Sequence, residues 1–144
     1  MVVGMQLTQH TDYGLRLLIV LARAGGGPVA LTDFAAEQGL SYHHVAKVAQ
    51  KLVREGFVAS HRGRSGGVSL ARPAEDVTVG QVVRALEKGM RIADCSGCAL
   101  RGDCGTSSLL ARALGAFMAV LDAATLADAA RTGITHAPWA FAST

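Results

Sequence analysis

SYHHVAKVAQKLVREGFVASHRGRSGGVSLARP, residues 41–73, is the stretch from which the architecture can be read. Ser41 is a helix-capping residue type, and an apolar stripe of Val45, Val48, Ala49 and Leu52 follows at i, i+3, i+4 and i+7. At about 100° per residue, that spacing turns His43, Lys47, Gln50 and Arg54 to the opposite side, with Tyr42, His44 and Lys51 flanking them. The helix runs to Glu55 and Gly56 ends it. Residues 57–61 then read as a strand, 62–67 as a Gly- and Arg-rich turn, and 68–71 as a returning strand.

Upstream, Thr32 is placed to cap a shorter helix over 33–38, with Asp33 in its first turn and Gly39-Leu40 as the break. Short helix, break, basic helix and hairpin make a winged helix-turn-helix. The chain is therefore predicted to be mainly α with a small β-hairpin wing and a long C-terminal dimerisation helix. Charge agrees. Residues 41–72 hold six Lys or Arg against the single acid Glu55, a local +5 inside a chain of net +3, which leaves −2 elsewhere. A basic block of this kind is either an ordinary solvated face or a polyanion contact. The wing that follows favours DNA. Lys47, Lys51, Arg62 and Arg64 are expected at phosphates, with Ser65 and Gly66 in the same tip. Tyr42, His43 and His44 at the helix start are placed for base edges, and Arg64 can alternatively enter a minor groove.

On either side, further helices are predicted. The first covers 8–24, with Leu15, Leu18, Ile19 and Ala22 as its stripe and Gly25–Gly27 as its stop. Residues 28–31 form a short extended link. Thr78 caps a helix over 79–88, and Thr125 caps a last turn over 126–130. Between them a helix over 107–121 carries Arg112 as its single charge. Leu110, Leu114, Phe117 and Leu121 line one side, and Leu109, Ala113, Met118 and Val120 cover much of the rest. Such a helix needs burial on two sides, so a second copy of the chain is expected against it. The domain division is 5–77 for DNA binding, 78–131 for the cysteine loop and dimerisation helices, and 132–144 for a disordered tail.

Cys95, Cys98 and Cys104 are the only cysteines of the 144 residues. An odd number clustered in one polar loop is suited to thiolates converging on a metal, one ligand short of four. Zinc and iron–sulfur both satisfy that donor set, and buried or free thiols are the plainer alternative. A Cys95-x-x-Cys98 redox dithiol is disfavoured, because such motifs open a helix after a strand in a βαβ unit. Nothing reads as a catalytic triad, a P-loop or a dinucleotide loop, so no enzyme is expected. No apolar run approaches the roughly 20 residues of a membrane span, residues 1–7 lack a signal peptide's form, and reduced thiols suit the cytoplasm.

The segments MQLTQHTDYGLR (5–16), VAKV (45–48), RGRSGGVSLARP (62–73) and LDAATLAD (121–128) resemble the NsrR proteins. These are nitric-oxide-sensing repressors within the family of winged-helix iron–sulfur regulators that includes IscR. The likeness spans residues 5–131. It implies a homodimeric repressor with an iron–sulfur cluster on Cys95, Cys98 and Cys104, [4Fe–4S] in preference to [2Fe–2S]. It also implies Asp12 of the partner subunit as fourth ligand, with His10 and Asp94 as lesser candidates, and nitric oxide as the signal that releases the operator. Iron, cluster supply or redox state are alternative signals in the same family. Two residues separate Cys95 from Cys98, fewer than is usual in that family, while the five between Cys98 and Cys104 match it.

Overall fold

The computed structural model describes residues 6–133. In chain order it contains α1 (Gln9–Arg23), α2 (Leu31–Gln38), α3 (Tyr42–Arg54), β1 (Val58–His61), β2 (Gly67–Leu70), a 3-10 turn (Ala74–Asp76), α4 (Val79–Leu86), α5 (Gly105–Asp122) and α6 (Leu126–Ala130). The mainly helical winged fold expected from the sequence is present. From residue 134 onward, the tail predicted over 132–144 lies outside the described residues.

α3 buries Val45, Val48, Ala49 and Leu52, the four residues of its predicted inner face. They join Leu17, Leu18 and Leu21 of α1, Phe34 of α2, Val58 and Val68 of the hairpin, Val82 and Leu86 of α4, and Leu126 of α6 in one core. Helix α6 folds back onto α1, so the last described helix packs against the first. Burial of each large aliphatic side chain contributes about 1.5–3 kcal/mol, and this cluster dominates the stability.

Several boundaries differ from expectation, each for a tertiary reason. The buried face of α1 is Thr11, Gly14, Leu17, Leu18 and Leu21, whereas Leu15, Ile19 and Ala22 are half-buried. Contacts with α3, α4 and α6 rotate the helix relative to the predicted stripe. Helix α2 starts at Leu31, with Ala30 rather than Thr32 at its cap. The extended link ends there because Val29 pairs with Val68 of β2. Gly39 closes α2 at φ 65°, a left-handed position that glycine occupies without a steric cost. Helix α4 stops at Leu86 rather than Lys88, since Glu87 is extended.

Glu87 is drawn out of the helix by the far end of the chain. Its carboxylate accepts from the Thr8 backbone N–H at 3.2 Å and from the Thr8 and Thr11 hydroxyls at 2.5 Å each. It thereby satisfies free donors at the start of α1 and complements that helix's positive end. Partial burial pushes its pKa up, but the bonds from Thr11 and Thr8 outweigh this and hold it below the usual carboxylate value. A second clamp joins α4 to α5, where Arg84 pairs with both oxygens of Asp122. Gly80 packs so tightly there that an added Cβ would fall on the Asp122 carboxylate and 2.9 Å from its backbone N. Among the described residues, no helix is long and apolar enough to cross a membrane.

Two predictions follow from these clamps. Gly80→Ala should destabilise the fold by about 1–3 kcal/mol, because the neighbouring Asp122 backbone must shift; thermal melts at neutral pH measure it. A carboxylate with a lowered folded-state pKa stabilises at neutral pH, and loses that contribution as pH falls through the folded-state value. Glu87→Gln should therefore cost about 1 kcal/mol at pH 7 and flatten the decline of melting temperature in acid relative to the parent protein.

Candidate nucleic-acid interface and cysteine loop

Burial of one side of α3 leaves the other in solvent. Tyr42, His43, His44, Lys47, Gln50 and Arg54 are all exposed, Tyr42 by 53%. The wing carries Arg62, Arg64 and Ser65 exposed at its tip, with Gly66 half-buried below them. Among the described residues, no carboxylate pairs with Lys47, Arg54, Arg62 or Arg64. Two members of the basic block are otherwise engaged. Lys51 is half-buried and pairs with Glu55 at 2.7 Å, an i,i+4 contact on the protein surface of modest strength. Arg72 lies 5.6 Å over the Phe57 ring and donates to the Asp76 carbonyl, so it braces the wing base.

The sequence reading missed what stands behind the recognition face. Tyr13 of α1 places its ring 6.3 Å from that of His44, and Arg16 lies 5.7 Å over the same tyrosine. No periodicity in α1 singles out Tyr13, because the contact is made by the crossing of two helices. Within the wing, His61 Nε2 and Ser69 Oγ are 2.7 Å apart across the two strands.

The cysteine loop connects α4 to α5. Short turns shape it: Cys98 N–H donates to the Cys95 carbonyl at 3.3 Å, and Arg101 N–H to the Cys98 carbonyl at 3.2 Å. All three thiols are free, with Cys95 and Cys104 half-buried and Cys98 exposed. Cys95 lines a half-open, largely apolar cavity of about 210 Å³ with Met90, Ile92, Leu110 and Leu114. Cys104 is the cap of α5, where the backbone N–H groups of Ser107 and Thr106 lower its pKa by favouring the thiolate.

The donor chemistry therefore suits a thiophilic metal group, but the single chain does not assemble a site. Among the described residues, no three His, Cys, Asp or Glu side chains converge on one point. Asp12 is held by Arg16 through bonds of 3.1 and 2.8 Å. Asp94 accepts from the Ser96 N–H and hydroxyl at 3.0 and 2.6 Å. His10 is disfavoured as a cation by partial burial and by Lys51 and Lys88.

Helix α5 leaves its apolar surface largely uncovered. Phe117 is 44% exposed, Leu109 60% and Val120 70%, while Leu110, Leu114 and Leu121 are half-buried and Met118 is its one fully buried side chain. An exposed stripe of this size on a folded chain marks an association surface.

Known proteins share this fold. The family model for Rrf2, described as an iron-dependent transcriptional regulator, matches residues 7–132. CymR of B. subtilis, the global cysteine regulator, is 30% identical with a TM-score of 0.77, covering 88% of this chain and 97% of CymR. IscR of T. potens is 32% identical with a TM-score of 0.72, covering 88% of this chain and 86% of IscR. A Listeria innocua protein classed as a transcriptional regulator is 28% identical with a TM-score of 0.82, over 100% of this chain and 99% of that one. What these matches share is the family at large rather than its nitric-oxide-sensing branch. From the helix-turn-helix through the cysteine loop to α6, the chain belongs to the Rrf2 family of transcriptional regulators.

Proposed function

We propose that this regulator is a homodimeric repressor whose grip on its operator is set by an iron–sulfur cluster that reacts with nitric oxide. One observation carries the reading: three free cysteines occupy the single loop between α4, which packs in the same core as α3, and α5, whose apolar face is uncovered. Cys95, Cys98 and Cys104 are the residues that would hold the cluster, with Asp12 of the partner subunit as the fourth. When bound, a [4Fe–4S] or [2Fe–2S] cluster would supply iron that a diatomic ligand can attack.

The chain's own residues do the rest. Residues 5–77 present the DNA surface, and residues 78–131 hold the loop and the subunit contact. Leu110, Leu114, Phe117 and Leu121 pack against their counterparts, so that two copies of α3 face successive major grooves. Apolar side chains of Met90, Ile92, Leu110 and Leu114 lie beside Cys95 and partly shield it from water. To reach the partner's loop, Asp12 exchanges its bond with Arg16, an exposed i,i+4 pair that contributes little. Lys47, Arg62 and Arg64 neutralise phosphates, while Tyr42, His43 and His44 face the bases. A differential of a few kcal/mol between loop states changes operator affinity by roughly two orders of magnitude. The likeness to CymR and IscR supports a second reading, in which cysteine, cluster supply or redox state replaces nitric oxide as the signal.

Anaerobically purified protein should be coloured and contain iron and sulfide. It should release a duplex selected from a random DNA pool when titrated with nitric oxide, but not with oxygen or dithionite. Cys98→Ala should abolish both the absorbance and the tight complex; a colourless preparation that binds the duplex unchanged refutes cluster control. Lys47→Ala should reduce the slope of log affinity against log salt by about 1 while leaving base preference intact. Anisotropy titrations across a salt series measure this.

A further inference from the structure

The wing is joined to the helix-turn-helix by a backbone contact that also explains a glycine in its strand. Val29 N–H donates to the Val68 carbonyl at 2.8 Å, and Val68 N–H donates back to the Val29 carbonyl at 2.9 Å. The residue just ahead of α2's cap is thus a one-rung third strand against β2. Beside that rung lies Gly67, paired across the hairpin with His61. A Cβ on Gly67 would fall on the Val29 carbonyl oxygen, 2.5 Å from the Val29 carbonyl carbon and 2.9 Å from Ala30 N. All of these are backbone atoms, so no side chain can swing aside to make room. A strand glycine of this kind marks the close approach of another backbone. Near its turn the hairpin is also held together internally, by the contact of 2.7 Å between His61 Nε2 on β1 and Ser69 Oγ on β2.

Arg62 and Arg64 lie only five and three residues before Gly67, in the turn that this weld anchors. We infer that Gly67 is a positioning residue for operator binding: by admitting the Val29 backbone, it fixes the wing against α2 and so determines where Arg62 and Arg64 meet DNA. A loose hairpin would lose its freedom each time it bound. A welded one presents both guanidinium groups already placed relative to α3, and spends none of the binding free energy on ordering itself. The inference rests on the reading that the wing arginines touch DNA, and its test separates the two.

The test is a double-mutant cycle on the selected duplex, using the holo-protein. Gly67→Ala should lose amide-exchange protection at Val29 and Val68 and weaken binding by roughly tenfold or more. Arg64→Ala should cost about tenfold in the parent background. In the Gly67→Ala background it should cost less than about twofold, because the arginine is already displaced. Equal losses in the two backgrounds overturn the positioning role while leaving the wing–DNA contact standing. If Arg64→Ala costs nothing in either background, the wing contact itself is refuted, and the inference falls with it. Should Gly67→Ala fail to fold, Val29→Pro removes the N–H donated to Val68 without adding bulk at Gly67. The same cycle then applies, and additivity there overturns the inference equally.

Discussion

Burying Val45, Val48, Ala49 and Leu52 against α1 is the constraint from which the functional surface follows. A helix can hide one side only, and once these four residues are committed, His43, Lys47, Gln50 and Arg54 have nowhere to go but solvent. The basic face therefore needs no separate device to expose it. The same burial fixes the direction in which α3 leaves the core, and with it the starting point of the hairpin, whose Val58 and Val68 complete the cluster. Helix α3 and the wing are presented together because both are anchored in one apolar core.

The loop that carries the cysteines is tied to this core at its start and leads at its end into helix α5. At its start, the Glu87 carboxylate binds the first turn of α1, the helix that also carries Asp12, Tyr13 and Arg16. Past the loop, the C-terminal end of α5 is clamped to α4 through Asp122, Arg84 and the close approach at Gly80. Between Glu87 and the start of α5 at Gly105 the backbone runs in short turns. A loop without regular structure, held at its start by Glu87 and continuing directly into α5, can change shape without unfolding its neighbours.

The described chain is complete as a folded unit and incomplete as a surface. Its core is closed, yet α5 carries Leu109, Phe117 and Val120 in solvent, and Asp12, which the resemblance assigns to a metal centre, is instead paired with Arg16. Both features have one explanation in the proposed dimer, where a second copy covers the apolar stripe and offers its Asp12 to the cysteine loop. The thiols are local to the loop, whereas the fourth donor in the proposed centre would come from the association.

The sequence alone determined the elements whose periodicity is self-contained. The inner face of α3, the hairpin with its Gly-Arg tip, the capped turn at Leu126–Ala130 and the apolar excess of α5 are each written in consecutive residues, because helix and strand geometry convert spacing directly into sidedness. It also marked the three cysteines as a group. Only the tertiary structure decided which face of α1 is buried, where α2 begins, that Lys51 and Arg72 are turned to intramolecular partners, and that Val29 pairs with β2. The Val29 pairing joins residues 39 positions apart, while Lys51 and Arg72 find partners within 4 to 15 positions whose choice depends on how the side chains pack. A contact between Thr8 and Glu87 leaves no periodic trace in either segment, since neither residue's neighbours repeat it.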